Sequence, residues 1–182
     1  MHSTVLPLTA AVLRPLTLSD APSIARHAND RQVSINLRDR FPFPYTVQDA
    51  IDFLAFLDAD DRQVQFGIDV EGQIVGGIGL GIRDDVERLT AELGYWLGVS
   101  YWGRGIMPEA VRAVTDLGHR ECGLARIFAK VYAGNERSAR VLEKAGYERE
   151  GLMRASVLKD GRILDATLFA HVVAIDPGSL RV

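Results

Sequence analysis

Residues 94–110 read GYWLGVSYWGRGIMPEA, which is the most informative stretch of the chain. An extended pattern runs into a tight turn with Gly103 and Gly105, and Pro108 then lies in the first turn of a helix. Two glycines one residue apart let the backbone bend tightly and leave its amide groups unobstructed. Together with the first unpaired N–H groups of the helix, these amides form an anion site, and Arg104 adds a positive charge beside it. The turn therefore predicts a phosphate or pyrophosphate ligand.

A glycine pair at the start of a helix is weak evidence by itself, because ordinary turn chemistry also explains it. A dinucleotide-binding loop would need a third glycine where this chain has Pro108, and the preceding strands follow a meander pattern. A P-loop would end in Gly-Lys-Ser or Gly-Lys-Thr, which this turn does not contain. Both of these nucleotide-binding motifs are therefore disfavoured.

The hydrophobic periodicity predicts a single α+β domain over residues 11–173, with 1–10 and 174–182 as terminal extensions. A strand–helix–strand order around the glycine turn predicts one parallel strand pair in a mixed, mostly antiparallel sheet with helices on both faces. A loop with at most a short helix is expected over 30–46. The predicted strands are 11–16, 63–70, 73–82, 91–99, 126–132, 152–158 and 163–172, and the predicted helices begin near 20, 46, 106 and 137. Ser19 or Asp20 can cap the first of these helices, and Thr46 with Asp49 is typical of a capping box at the start of the second.

Composition limits the class of protein. Of 182 residues, 47% are hydrophobic and 25% are charged, which is typical of a folded globular chain and excludes disorder. No apolar run is long enough to span a bilayer, and the N-terminus lacks the basic region of a secretory signal. The net charge is -3, from 21 basic and 24 acidic residues, so we expect neither a nucleic-acid nor a membrane partner.

The inventory of metal ligands is small. Cys122 is the single cysteine, which forbids an internal disulfide and suits a reducing, cytoplasmic compartment. The histidines show no spacing typical of a metal site or of a catalytic triad. We therefore expect a cytoplasmic protein without a metal.

Residues 92–97, followed by 101–105 and 108–110, resemble the acetyl-CoA-binding core of the GNAT N-acetyltransferases, and more narrowly the RimJ/RimL branch. The resemblance extends over nearly the whole chain, through blocks at 13–20, 74–79, 135–139, 143–147 and 161–169. It implies the GNAT fold, whose twisted sheet contains one splayed parallel pair. It also implies transfer of an acetyl group from acetyl-CoA, as cosubstrate, to a primary amine.

In this family acetyl-CoA lies between the two splayed strands, which here would be 91–99 and 126–132. The resemblance implies that the pantetheine arm pairs with the backbone of Leu97, Gly98 and Val99, with a bulge at Gly98. Members often carry Gln or Arg where this chain has Ser100. The diphosphate would bind the turn and the helix start at Gly103, Arg104, Gly105, Ile106 and Met107.

The attacking amine must be neutral, and an alkyl amine has a pKa of about 10, so a base assists the reaction near neutral pH. Glu92 is the candidate, because it shares a strand face with Gly94 and Trp96 and because similar enzymes carry a carboxylate on this strand. The alternative is that Glu92 is an exposed strand glutamate without a catalytic role.

The leaving thiolate then needs a proton or a hydrogen-bond donor. Many GNAT enzymes use a tyrosine at the position that is Leu142 here, so the usual acid is missing. RimJ/RimL-like sequences instead have an Asn-x-x-Ser arrangement, which implies that Ser138 contacts the CoA sulfur and Asn135 the pantetheine. Alternatively, Asn135 caps a helix and Ser138 lies in its first turn; both descriptions can hold together.

The acceptor site is the least determined feature. The resemblance implies that loop 30–46 and the final hairpin around 156–165 build it, which makes candidates of Asn36, Arg38, Tyr45 and Asp165. A protein N-terminus, an aminoglycoside, an amino acid or another small amine remains open as the acceptor. A non-catalytic acyl-CoA-binding module is the alternative function, suggested by the missing tyrosine. A homodimer is compatible with the sequence.

Overall fold

A computed structural model describes residues 4–60 and 62–174. The strands are β1 (Leu6–Pro7), β2 (Val12–Arg14), β3 (Gln63–Val70), β4 (Gln73–Ile82), β5 (Thr90–Leu97), β6 (Arg126–Tyr132), β7 (Glu148–Lys159) and β8 (Arg162–Val172). Within these residues they form one eight-stranded sheet in the order β1-β2-β3-β4-β5-β6-β8-β7. The helices are α1 (Ala21–Ala28), α2 (Arg31–Ser34), α3 (Val47–Ala59), α4 (Ile106–Arg120) and α5 (Glu136–Lys144).

Helices cover both faces of the sheet. Ile74 and Val75 are neighbours on β4 but belong to different hydrophobic clusters, so the two clusters lie on opposite faces. The larger cluster contains the buried residues of α4 and α5, and the smaller one contains those of α1 and α3. The predicted α+β class with a mixed sheet is confirmed. In the described residues, no helix is both long enough and apolar enough to cross a membrane.

Local sequence explains where the helices begin. Thr46 caps α3 as predicted: its hydroxyl accepts from the backbone N–H of Asp49 at 3.2 Å, and the Asp49 carboxylate accepts from the Thr46 N–H at 2.7 Å. Asp20, expected to cap α1, does something different. Its carboxylate accepts two hydrogen bonds from Arg14, at 2.8 and 2.9 Å, and one from the Thr17 N–H, because a guanidinium is the stronger donor.

The N-terminal strand differs most from the sequence expectation. The predicted strand 11–16 is shorter, because β2 ends at Arg14 just before Pro15. Strand β1 lies within the stretch expected to be an extension, and Leu6 pairs with Leu13. Thr9 then ties this segment to α4, since its N–H and its hydroxyl both donate to a carboxylate oxygen of Glu109 at 2.9 Å. From residue 175 onward, the predicted C-terminal extension lies outside the described residues.

The parallel pair is short. Strands β5 and β6 pair at three positions, Thr90 with Arg126, Ala91 with Ile127 and Glu92 with Phe128. Beyond Glu92, β5 stays paired with β4 as far as Leu97, and β6 stays paired with β8 as far as Tyr132. The two strands therefore separate after Glu92 and leave a split in the sheet that is open toward the end of β5.

Gly79 on β4 and Gly94 on β5 are cross-strand partners with opposite surroundings. A Cβ at Gly79 would lie 2.5 Å from the backbone carbonyl oxygen of Val64, whereas one at Gly94 would meet nothing within 4 Å. We predict that Gly79→Ala lowers the free energy of unfolding by about 1–3 kcal/mol, as overpacking does. The control Gly94→Ala should change it by less than about 0.5 kcal/mol. Urea denaturation of both variants measures this, and equal losses would contradict it.

Candidate active site at the split in the sheet

The glycine turn adopts the geometry that its sequence predicts. Gly103 has φ 78° and Gly105 has φ 80°, both in the left-handed region that favours glycine. Gly105 is the N-cap residue of α4. A Cβ at either glycine would meet nothing within 4 Å, so the outer side of the turn is open. Backbone N–H groups at this helix start can therefore receive an anion directly.

Aromatic rings hold the turn and its positive charges in place. The indole N–H of Trp102 donates to the carbonyl oxygen of Leu97 at 2.7 Å, which ties the turn to the end of β5. The Arg104 guanidinium lies 4.9 Å from the ring centroid of Tyr101, and the Arg137 guanidinium of α5 lies 4.8 Å from that of Trp102. Two cations thus flank the turn. The sequence indicated Arg104, which lies within the turn itself. It did not indicate Arg137, because that residue lies in a different element.

The split exposes one edge of β5. The N–H of Gly98 donates to the carbonyl oxygen of Val75 at 2.8 Å, so this N–H points toward β4. Backbone polar groups alternate along an antiparallel strand, and those of Leu93, Tyr95 and Leu97 consequently face the split. An extended ligand that contains amide groups can pair with such an edge as an added strand does.

Part of the predicted pantetheine contact needs correction. The carbonyl of Leu97 already accepts the Trp102 indole, and the N–H of Gly98 already has a partner on β4. The bulge predicted at Gly98 is wrong, because β4 and β5 keep an unbroken register. Close packing explains the glycine instead, since a Cβ there would lie 3.2 Å from the Cβ of His27. Val99 begins a short 3₁₀ turn.

At the start of α5, the two predicted polar residues form a cap. The side-chain oxygen of Asn135 accepts from the N–H of Ser138 at 3.2 Å, so the description of a capping Asn135 with Ser138 in the first turn is confirmed. The hydroxyl of Ser138 lies 2.7 Å from that of Tyr95. Leu142 has no exposed surface and packs in the main core. Contacts of Asn135 and Ser138 with a ligand stay predictions.

Tyr95 is a polar group that the sequence analysis missed. Burial raises its pKa to about 12, although the hydrogen bond with Ser138 lowers it, so the phenol stays protonated at physiological pH. The sequence offered one signal: Tyr95 and Trp96 are consecutive on the strand before the turn, so their side chains point to opposite faces of the sheet. Periodicity alone does not tell which distant helix its hydroxyl reaches.

Glu92 lies at the last paired position before the split, and it is not a lone exposed glutamate. Arg38 donates to one of its carboxylate oxygens, and Arg83 donates to the other at 2.8 Å. The Glu92 side chain is only 17% exposed. The hydrogen bond with Glu92 raises the pKa of Arg38 further above its usual value. The sequence analysis anticipated neither ion pair.

Of the loop residues predicted to meet the acceptor, Arg38 reaches Glu92 and the others have structural partners. The Asn36 amide donates to the carbonyl oxygen of Gln32 in α2 at 3.0 Å. Tyr45 is 5% exposed and packs in the smaller core against α1 and α3. Contacts of Asn36 and Tyr45 with an acceptor therefore remain predictions.

Asp165 on β8 supports an irregularity in the neighbouring strand. Its carboxylate accepts from the N–H of Ala155 at 2.8 Å, and Ala155 has φ 49° within a register shift between Met153 and Val157 of β7. The carboxylate thus stabilises a bulge in the hairpin that was expected to border the acceptor site. A direct contact of Asp165 with an acceptor stays a prediction.

Loop 30–46 and the final hairpin lie together, as the resemblance implied. Lys159 donates to a carboxylate oxygen of Asp39 at 2.8 Å, and Arg31 forms an ion pair with Asp160. We call these two ion pairs the clasp. The Lys159 side chain is only 6% exposed, whereas Arg31 and Asp160 are 44% and 42% exposed. The clasp joins the two segments that the resemblance gives as the walls of the acceptor site, and we call the expected opening between them the mouth. Arg38 lies in the first of these segments.

Residues 11–148 match the family described as the acetyltransferase (GNAT) domain. A protein named as an N-acetyltransferase, p20 of Bacillus licheniformis, is 32% identical over 162 residues, which cover 87% of this chain and 90% of p20. RimJ of Mycobacterium smegmatis, solved in complex with CoA-disulfide, superposes with a TM-score of 0.83 at 26% identity, over 93% of this chain and 86% of RimJ. The ribosomal-protein-serine acetyltransferase of Escherichia coli is 28% identical over 108 residues, which cover 59% of this chain and 60% of that protein.

The chain therefore belongs to the GNAT acetyltransferase family, and the resemblance to its RimJ/RimL-like members is confirmed. It is an acetyltransferase that uses acetyl-CoA as cosubstrate. The described residues fit this cosubstrate. The turn at Gly103 and Gly105 has open space on its outer side, and β5 has an unpaired edge beside it.

Gly105 allows a test that separates charge from shape. We predict that Gly105→Asp binds CoA at least about tenfold more weakly than Gly105→Asn, because a carboxylate at the turn repels the diphosphate at close range. Asn and Asp both tolerate a positive φ and cap helices well, so both variants should fold. Isothermal titration calorimetry with CoA measures the two dissociation constants. Equal affinities of the two variants would contradict a diphosphate at this turn.

Proposed function

We propose that this protein transfers the acetyl group of acetyl-CoA to a primary amine by direct attack in a ternary complex, within one domain of residues 11–173. The position of Glu92 carries the proposal. This carboxylate lies where β5 and β6 separate, and Arg38 connects it to the loop that borders the acceptor mouth. Glu92 would thus act as the proton acceptor between the predicted cosubstrate groove and the predicted entrance for the amine.

When bound, acetyl-CoA supplies an acetyl group activated as a thioester. Backbone N–H groups of the turn and of the first turn of α4 would hold its diphosphate, with Arg104 beside them. The open edge of β5 would hold the pantetheine arm through the backbone groups of Leu93 and Tyr95 and the N–H of Leu97. Gly98 and Val99, whose polar groups face elsewhere, would border the arm without pairing with it. Asn135 and Ser138 would border the thioester end. The turn residues of the proposal are Gly103, Arg104, Gly105, Ile106 and Met107.

Glu92 would accept the proton that the amine loses, directly or through one water molecule. A carboxylate offers about four lone-pair positions, so two guanidinium partners leave it able to accept another hydrogen bond. Arg38 and Arg83 also fix its orientation, because each binds a different oxygen. The arginines would therefore position the base.

For the acceptor, we favour the N-terminus of a protein. Two Escherichia coli relatives are named for ribosomal proteins: the ribosomal-protein-serine acetyltransferase and the uS5-alanine N-acetyltransferase, which is 36% identical over 78 residues. Arg38 at the proposed mouth is 51% exposed, so a chain end that approaches from solvent would be able to reach it. Asn36, Arg38, Tyr45 and Asp165 are its candidate contacts. The proposal places the reaction in the cytoplasm, where a chain with a single cysteine would stay reduced.

The test is release of CoA thiol from acetyl-CoA with a panel of amines. The panel contains short peptides with N-terminal Ser or Ala, the same peptides with a blocked N-terminus, free amino acids, an aminoglycoside and a polyamine. Release with the unblocked peptides alone supports a protein N-terminus as acceptor. Release with only a small amine would replace that acceptor, and no release with any amine would favour a non-catalytic acyl-CoA-binding module.

Replacing Glu92 by Gln keeps the shape of the side chain and removes its basicity. We predict that kcat falls about a hundredfold or more, which is within the usual range for a general base. The KM for acetyl-CoA should change little. Glu150→Gln is the matched control, because Glu150 also pairs with an arginine, Arg126, and should keep wild-type turnover. Steady-state kinetics decide, and an unchanged kcat would remove Glu92 from the mechanism.

We predict that Ser138→Ala lowers kcat about 10- to 100-fold, because a neutral donor to a developing anion contributes about 1.5–3 kcal/mol. Ser23 provides the control, since it also lies in the first turn of a helix and hydrogen-bonds the backbone of Asp20. Ser23→Ala should lower the melting temperature and leave kcat unchanged. A Ser138→Ala enzyme that behaves in the same way would leave Ser138 with a structural role only.

A further inference from the structure

The hydroxyl of Tyr95 meets the start of α5 across the split in the sheet. Its oxygen lies 2.7 Å from Oγ of Ser138 and 3.3 Å from the Ser138 carbonyl oxygen. The side chain thus links β5 to α5, 43 residues further along the chain. Leu142, at the position where many GNAT enzymes were expected to carry a tyrosine, has an apolar and fully buried side chain.

We propose that Tyr95 is a positioning residue that orients the hydroxyl of Ser138 toward the sulfur of the leaving CoA. This inference rests on the proposed function, in which Ser138 faces that sulfur. Strand β5 thereby supplies the phenol group that α5 lacks. Tyr95 acts through Ser138 and needs no contact of its own with the cosubstrate.

The hydrogen-bond inventory of Ser138 supports this role. Its N–H donates to Asn135, which fixes the first turn of α5. A serine hydroxyl has one hydrogen and two acceptor positions. When Tyr95 donates to Oγ, the hydrogen of Ser138 becomes available to a third group, and the first hydrogen bond strengthens the second by polarisation. Ser138 is half-buried, so part of the residue remains accessible.

The proposed role requires the Tyr95 hydroxyl to donate to Oγ of Ser138. Either hydroxyl can donate in this contact, and it is the shorter of the two that Tyr95 makes, at 2.7 Å against 3.3 Å for the Ser138 carbonyl oxygen. Burial raises the pKa of Tyr95 to about 12, so the phenol keeps its hydrogen over the pH range in which acetyltransferases are assayed.

The chemical balance requires no proton from Tyr95. The amine nitrogen forms a bond to the acetyl carbon, and the C–S bond breaks with its electron pair on sulfur. The proton lost by the amine passes to Glu92 or to water. Charge on the sulfur is stabilised by the hydrogen bond from Ser138, and both hydroxyl groups keep their protons.

Tyr147 provides a matched control for a purely structural tyrosine. Its hydroxyl is hydrogen-bonded to that of Thr115 at 2.8 Å, within the same main core. Loss of the hydroxyl from Tyr95 or from Tyr147 removes one hydroxyl–hydroxyl hydrogen bond in each case. The two Tyr→Phe variants should therefore lose similar amounts of stability. Their preference for CoA should differ only if Tyr95 orients Ser138 toward the sulfur.

The experiment compares binding of CoA with binding of desulfo-CoA, by calorimetry between about pH 6 and pH 9, where a thiol ionises. We expect the wild-type preference for CoA to increase with pH as the bound thiolate gains its donor. Tyr95→Phe should reduce that preference about 3- to 10-fold at the highest pH, and Tyr147→Phe should keep it. Ser138→Ala should abolish the preference, and the double variant Tyr95→Phe/Ser138→Ala should equal Ser138→Ala, because the two residues act in series.

Three results would overturn the assignment. Tyr95→Phe could keep the wild-type preference for CoA, or the double variant could lose a preference equal to the product of the two single losses. The wild-type protein could also show no preference for CoA, because Ser138 would then not face the sulfur. Failure of the proposed function is recognised separately. If no amine releases CoA while the preference depends on Tyr95 as described, acetyl transfer is refuted and the hydroxyl pair stands.

Discussion

The separation of β5 from β6 is the constraint on which the rest of the site depends. Each strand is fully paired on its other side, β5 with β4 and β6 with β8, so the twist of the two halves can be accommodated only where they meet. Three paired positions hold the halves together at the base of the split. Above them, unpaired backbone groups, the glycine turn and the start of α5 converge around one opening. The groove is thus a consequence of sheet topology before any side chain is considered.

Side chains then connect this opening to parts of the chain that are remote in sequence. Glu92 lies at the base of the split and is held by Arg38 from loop 30–46 and by Arg83 from the end of β4. Tyr95 spans the gap and meets Ser138. Glu92 and Tyr95 lie on opposite faces of β5, because successive side chains of a strand point to opposite sides. In the proposed mechanism, one face of this strand would serve the acceptor and the other the leaving group.

Sequence reasoning predicted those features that depend on neighbours in the chain. The positive φ of Gly103 and Gly105, the cap at Thr46 and the bounds of β6 all follow from local chemistry and periodicity. The partners of Glu92 and Tyr95 could not be predicted in this way, since they depend on sheet register and on how loop 30–46 folds back. The bulge expected at Gly98 failed for a related reason. A glycine is required where another element packs closely against the backbone, as α1 does here through His27, and not only where the backbone is irregular.

The clasp between loop 30–46 and the hairpin joins two fastenings of unequal character. Arg31 and Asp160 are both exposed to solvent, and in the other ion pair Lys159 is almost entirely enclosed while Asp39 is 78% exposed. Exposed ion pairs contribute little free energy and weaken further as the salt concentration rises. The enclosed stem of Lys159 differs from them, because its packing does not depend on charge. The connection between the two walls thus rests on the burial of one lysine stem more than on either ion pair.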